Sequence, residues 1–370
     1  MSWKADIVVG IVLISTFILL IPAVKPLAVP IDVTFVPEKI VFDFTRTITL
    51  SGNFVRAHLQ VAIPQNTSSQ NIYVKQIEGS RHTTQKTFTT FWDWNINHRD
   101  SIKIEYSGVS YGRVWEQESS STLNDIPQKY KEKYLHSEYI RTQDSTKYVI
   151  FVDNEEIRTL ALKITSQYST VLDKLKAIHT YIARNYHYEA STRDYIKSAV
   201  EVLHSGSGDC DELSFLYVSL ARSIGIPAWV VYGLLYDGTT WGYHAWVRTY
   251  IPDIGEVDCD VVSDLGQIKF VGFLTKTPYH IEIWADDGNS EHLSEMYTYV
   301  DYVGILQISD SYATKTLKQS AKNVAISNPY IIRREYVLAI IGILFLVMYL
   351  FSRKAPLFMV PIRGECTKER

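Results

Sequence analysis

Two long apolar stretches bracket the chain. Ile7 to Val24 holds 18 residues without a charge, and Tyr336 to Ser352 holds 17. At about 1.5 Å per residue they reach about 27 and 26 Å, just short of a ~30 Å hydrocarbon layer. Snorkelling by Arg333, Arg334, Arg353 and Lys354 absorbs the deficit. Residues 1–28 are expected as a retained transmembrane anchor rather than a cleaved signal peptide, because Pro26 spoils a small-x-small cleavage site. Residues 333–353, with no polar stripe, are expected as a second transmembrane helix. In the tail, 354–370, and its flank, Arg353, Lys354, Arg363, Lys368 and Arg370 outweigh Glu365 and Glu369. The positive-inside rule then makes both termini cytoplasmic and puts the main domains outside.

Between these ends the polar and apolar positions change period. Residues 29–125 alternate in short runs, such as Ile31–Phe35, Ile40–Phe44, Arg46–Leu50 and Ile102–Tyr106. Period two with polar turns such as Gln65–Ser69 predicts a β-sandwich. Asn66-Thr67-Ser68 in that turn fits a glycosylation sequon. From 126 a helical period takes over. Leu172, Leu175, Ile178 and Ile182 share one helix face. Leu213, Leu216, Tyr217, Leu220 and Ile224 share another, closed by Gly225 and Pro227. Strands then run over Ala228–Tyr236, Trp241–Tyr250 and Glu256–Val262, separated by an Asp237-Gly238 turn and a Pro252–Gly255 turn. Residues 126–308 are therefore one α+β domain. Residues 309–332, rich in Ser, Thr, Lys and Asn, are expected as a stalk.

Composition narrows the function. Lys+Arg 37 against Asp+Glu 40 gives a net charge of -3, which excludes the basic excess of a nucleic-acid binder. Hydrophobic residues at 46% rule out a disordered chain. Three cysteines make no disulfide framework, so cysteine is either packing or chemistry. His58, His82 and His98 have no metal-ligand spacing.

The chemistry concentrates at Gly208-Asp209-Cys210-Asp211-Glu212. Cys210 falls in the first turn of the second helix, where free N–H groups favour a thiolate and can stabilise an oxyanion. Asp209, Asp211 and Glu212 oppose the thiolate. Asp209 with Glu212 fits a capping box. A nucleophilic thiol needs a base and the base an orienter. His244 stands on the next strand but one. Asp258 and Asp260 share a face of the adjoining strand, and parity does not choose between them.

These pieces resemble a family. Ile178–Tyr188, Gly208-Asp209-Cys210, Leu220–Ala228, His244-Ala245-Trp246 and Gly255–Asp260 follow the order and spacing of the transglutaminase-like superfamily over roughly residues 135–265. The resemblance implies a papain-like fold, with a nucleophile helix packed on an antiparallel sheet. It also implies a catalytic triad of Cys210, His244 and Asp260, without a metal or organic cofactor. Glu256 replaces the usual tryptophan of the turn, and Val261-Val262 replaces the usual proline-threonine. Neither removes a catalytic group. The expected protein is a membrane-anchored cysteine protease or amidase, or a transglutaminase-type acyltransferase, with hydrolysis favoured on protein or peptide substrates. The competing expectation is an inactive domain that serves as an envelope or protein binding scaffold.

Overall fold

The four residues Trp229, Val231, Trp246 and Tyr134 form a buried cluster separate from the main core. Two apolar assemblies imply a sheet covered on both faces, and this is what the computed structural model contains. It describes residues 27–79, 83–84, 89–94, 100–115, 118–141, 145–190, 195–262, 272–297 and 299–332. Both apolar stretches, Ile7 to Val24 and Tyr336 to Ser352, lie outside these residues, as do His82, His98 and the side chain of His58, while Leu27 and Ala28 of the expected anchor begin a strand. Among the described residues no helix is long and apolar enough to cross a membrane.

The first half of the chain supplies β1 (Leu27–Pro37), β2 (Lys39–Ala62), β3 (Gln70–Glu78), β4 (Thr83–Thr84), β5 (Thr89–Trp94), β6 (Asp100–Tyr111) and β7 (Arg113–Val114). Then come α1 (Gln128–Tyr134), β8 (Glu138–Arg141), β9 (Thr146–Ile150), α2 (Glu155–Thr165), α3 (Val171–Asn185), β10 (His187–Tyr188), α4 (Ala199–Ser205), β11 (Ser207–Gly208) and α5 (Cys210–Ser223). The remainder is β12 (Ala228–Tyr236), β13 (Trp241–Ile251), β14 (Gly255–Cys259), β15 (Thr275–Lys276), β16 (His280–Ala285), α6 (Ser290–Leu293), β17 (Tyr299–Gln319) and β18 (Asn323–Ile332). Asp32–Asn328 form one compact unit, which holds the whole candidate site.

A four-stranded antiparallel sheet, in the order β14-β13-β12-β16, carries the site. Leu213, Leu216, Tyr217 and Leu220 of α5 share the main core with Val230, Ala245, Val247 and Val257 of this sheet. The helix stripe read from the sequence is thus the packing face. The other face of the sheet meets α1, where Tyr134 stacks on Trp229 with ring centres 4.3 Å apart.

The strands of 29–125 do not make two sheets of their own. β3, β6, β2, β5 and β4 join one antiparallel sheet, and β17 completes it beside β2. Its apolar positions at period two, Ile40, Phe42, Phe44, Ile102 and Ile104, are buried in the same core as α5. Phe44 meets Trp241 of β13 at 5.3 Å between ring centres. The second layer expected from a sandwich is therefore the α/β part of the molecule.

Residues 309–319, expected as part of a stalk, are strand. β17 pairs with β2 from Tyr299 opposite Gln60 to Gln319 opposite Ile40. Its composition is polar because most of these residues are exposed, and an inward position also carries a charge. Asp310 is buried at 2.7 Å from Arg46, which is itself buried. A paired inward charge is tolerated where a single one is not.

Candidate active site

α5 begins where the sequence places it. Asp209 is its N-cap and accepts the Glu212 N–H, while the Glu212 carboxylate takes the Asp209 N–H. This capping box sets Cys210 as the first helical residue. Glu212 is fully buried and also accepts the Lys197 N–H at 2.6 Å. Asp211 is buried and accepts the hydroxyl of Tyr297.

Cys210 is half-buried and free. Burial pushes its thiol up, and the carboxylates of Asp211 and Asp209 add to this; the backbone N–H of Ala245 acts in the opposite direction. The acidic neighbours therefore do not all turn to solvent, and the resting form is the thiol. Burial also pushes Asp211 up, helped by its hydrogen bond with Asp209.

His244 lies on β13 opposite Gly233 of β12 and is fully buried. Its Nε2 is 2.6 Å from Asp260 Oδ2. Its Nδ1 is buried and has no hydrogen-bond partner among the described residues, so Cys210 Sγ and the ring are not hydrogen-bonded in this structure. The sulfur instead faces the peptide N–H of the next residue, Ala245. The structure thus brings Asp260 to His244 directly, and sets Cys210 against the same strand.

The register decides between the two carboxylates. Arg248 pairs with Asp258 across the β13–β14 ladder, and its Nε lies 2.6 Å from Asp258 Oδ1. Arg248 also reaches Glu282 at 2.8 Å. Asp260, two residues further along, is left for the imidazole. Burial disfavours its charge, but His244 and His280 outweigh this and hold the carboxyl well below the usual carboxylate range.

His280 is the site residue that sequence reasoning missed. Its Nε2 is 3.1 Å from the same Asp260 Oδ2, and its Nδ1 is 2.8 Å from Thr277 Oγ1. The alternation of His280 and Glu282 in β16 was the available signal, but it does not say which strand β16 joins. Cys259 is fully buried against the core, and burial pushes its thiol up to about 12. It packs and takes no part in the constellation.

His244, Asp260 and His280 also present three ligand-type atoms within 4.8 Å of one another. Both imidazole nitrogens lie at hydrogen-bonding distance from one carboxylate oxygen. That is the geometry of two N–H donors on a shared acceptor, not of lone pairs converging on an ion.

Strand β13 is tied to the β-layer beside the site. Arg46 of β2 donates to the hydroxyl of Tyr243, which donates to Asp310 of β17. Tyr243 immediately precedes His244, so the long β2–β17 ladder buttresses the histidine strand.

Residues 158–261 match the model of the transglutaminase-like superfamily. Over 152 residues the chain is 32% identical to YebA, an uncharacterized protein of Bacillus subtilis; the match covers 35% of this chain and 19% of YebA. The chain thus spans less than a fifth of that relative. A solved structure of a candidate cysteine protease from Cytophaga hutchinsonii superposes with a TM-score of 0.52 at 14% identity, covering 82% of this chain and 97% of that one. The periplasmic domain of TgpA from Pseudomonas aeruginosa, bound to ethylmercury, matches at a TM-score of 0.28 and 13% identity, over 62% of this chain and 90% of its own. The TM-score of 0.52 shows a shared fold, and the match to the transglutaminase-like family model, residues 158–261, falls within it.

Proposed function

We propose that this chain, which carries a transglutaminase-like core, is a membrane-anchored thiol enzyme that hydrolyses amide bonds of protein or peptide substrates outside the membrane. Cys210 attacks the amide carbonyl, and the oxyanion is received by the N–H groups at the start of α5. His244 takes the thiol proton through Nδ1 and later delivers one to the leaving amine. Asp260 holds Nε2–H and stabilises the imidazolium that forms. Water then releases the acyl group from sulfur. An amine in place of water would give transfer, and hydrolysis is preferred because the sequence contains no recognisable second site for an amine donor. The two apolar end segments supply the anchors.

One observation carries this reading. The His244 ring is fixed by Asp260 at one nitrogen, while the other is buried without a hydrogen-bond partner among the described residues, on the strand that Cys210 faces. A buried lone pair without a donor is costly, so its retention fits a proton-accepting task.

The scaffold reading draws on the missing Cys210–His244 hydrogen bond. An apo enzyme also shows such slack. The test is labelling of the full-length protein with an acylating, thiol-directed probe. Labelling should map to Cys210, disappear in Cys210→Ala and fall strongly in His244→Ala. Equal labelling of wild type and His244→Ala would leave only the scaffold.

A further inference from the structure

Asp260 carries more hydrogen bonds than orienting one imidazole requires. Oδ1 accepts the Val262 N–H at 2.9 Å. Oδ2 has His244 Nε2 at 2.6 Å and His280 Nε2 at 3.1 Å. An ionised carboxylate only accepts, so both nitrogens that approach it bear hydrogen. The tautomers follow. His280 with hydrogen on Nε2 leaves Nδ1 as an acceptor, and Thr277 Oγ1 at 2.8 Å fills it. His244 with hydrogen on Nε2 leaves Nδ1 as the lone-pair nitrogen, the one without a partner. The relay runs from the Thr277 hydroxyl through His280 to Asp260, and from His244 to the same oxygen.

The relay is sealed. His244, Asp260, His280 and Thr277 are each at most 3% exposed. Burial also pushes His280 down, so it stays a neutral donor. Among the described residues, the other ionisable groups acting on these side chains include Cys210 of α5, His179 of α3, Cys259 of β14 and Lys276 of β15. Burial pushes His179 down to about 4, which keeps it neutral at working pH. Burial brings Lys276 to about 8.

We propose that His280 is a positioning residue for the thiol chemistry, a neutral second donor that shares the Asp260 oxygen and limits how strongly Asp260 draws a proton onto His244. The proposal rests on the thiol-enzyme reading. A carboxylate that serves His244 alone would stabilise its imidazolium more strongly. A larger share of the base would then be occupied before the thiol could use it. Dividing the acceptor between two rings fixes the His244 orientation and leaves the lone pair of Nδ1 available.

The experiment follows the Cys210 alkylation rate by iodoacetamide against pH in the full-length protein. His280→Leu removes the donor and should move the acid limb of the profile upward, with a loss of about tenfold at its acid end for each unit moved. His280→Gln restores an amide N–H and should bring the limb back towards wild type. Thr277→Val keeps both rings, removes only the hydroxyl that fixes the His280 tautomer, and should move the limb in the same direction by a smaller step. An acid limb unmoved in His280→Leu overturns the proposal, as does a lowered melting temperature in all three variants without movement of the limb. If His280→Leu does not fold, Thr277→Val alone decides by the same criterion. His244→Ala separates the two levels. If it leaves the profile unchanged, the thiol-enzyme reading itself fails; if it changes the profile and the other variants do not, only the role of His280 fails.

Discussion

Asp258 and Asp260 stand two residues apart with the same strand parity, and they meet opposite partners. Asp258 is clamped by the Arg248 guanidinium, while Asp260 lies 2.6 Å from His244. The separation of roles comes from the β13–β14 register, which sets Arg248 directly across from Asp258.

Exchanging either carboxylate for its amide should therefore give different failures. Asp260→Asn should keep the fold and lower acyl transfer to Cys210 by about 10³–10⁴, since the amide NH2 can donate to the imidazole and hold it in the wrong tautomer. Asp258→Asn should leave the site chemistry nearly intact and destabilise the protein by about 2 kcal/mol, because the largely enclosed Arg248 keeps only Glu282 as a charged partner. Probe labelling and urea denaturation of both variants check the assignment. The reverse pattern would transfer the orienting role to Asp258.

Asp209 should restrain the nucleophile. Burial, Asp211 and Asp209 all push the Cys210 thiol up. Asparagine caps a helix as well as aspartate does, so Asp209→Asn preserves α5 while removing the charge. The thiolate fraction at pH 7 should rise, and alkylation by iodoacetamide should quicken by about three- to tenfold. Peptide mapping of the alkylated protein would assign the change to Cys210. An unaltered rate would mean that the charge does not reach the sulfur.

Much of this site is local in sequence, and that part was legible. The capping box, the α5 stripe and the two turns after Tyr236 and Ile251 all depend on contacts within a few residues. The order helix, strand, strand was therefore readable. Three features were not. Parity left Asp258 and Asp260 open and only the family resemblance favoured Asp260; the physical reason, the Arg248–Asp258 cross-strand pair, was not readable. His280 belongs to a strand that joins β12, a pairing between residues far apart in the chain. The β17 strand hides behind Asp310, an inward charge whose partner, Arg46, lies 264 residues away. In each case the missing information was a long-range pairing, which no short-period pattern encodes.

Gly233 tests the support beneath His244. It faces His244 across the β12–β13 ladder and Glu282 across the β12–β16 ladder. A Cβ there would lie 1.9 Å from the carbonyl oxygen of Ile281. That atom is backbone, so relief requires β16 to move, together with His280 at its start. Gly233→Ala should cost about 1–3 kcal/mol of stability and reduce Cys210 labelling in the folded fraction. A variant that is destabilised yet labels at the wild-type rate would show that β16 does not position the site.

Asp286 should give the stability profile a slope near neutrality. It is buried beside Glu138 and Arg222, at 3.0 Å from Arg222 Nη2. Burial pushes its carboxyl up to about 7, Glu138 adds to this, and Arg222 works against it. Its folded value thus exceeds its unfolded value of 3.8. The native state holds this proton more tightly, so the contribution is fully present below about pH 4 and is lost as pH rises to about 7, by at most about 1.4 kcal/mol per unit. Asp260 has the opposite sign, since its folded value is depressed, and its contribution is lost only as pH falls below the unfolded range. The two windows therefore do not overlap. Asp286→Asn keeps an oxygen for the Gly288 N–H, which Asp286 Oδ1 accepts at 2.7 Å, and has no proton to lose. Urea midpoints at pH 4, 5.5 and 7 should fall less steeply in this variant than in wild type, while below pH 4 both should weaken together. Parallel profiles between pH 4 and 7 would mean that Arg222 keeps Asp286 ionised throughout.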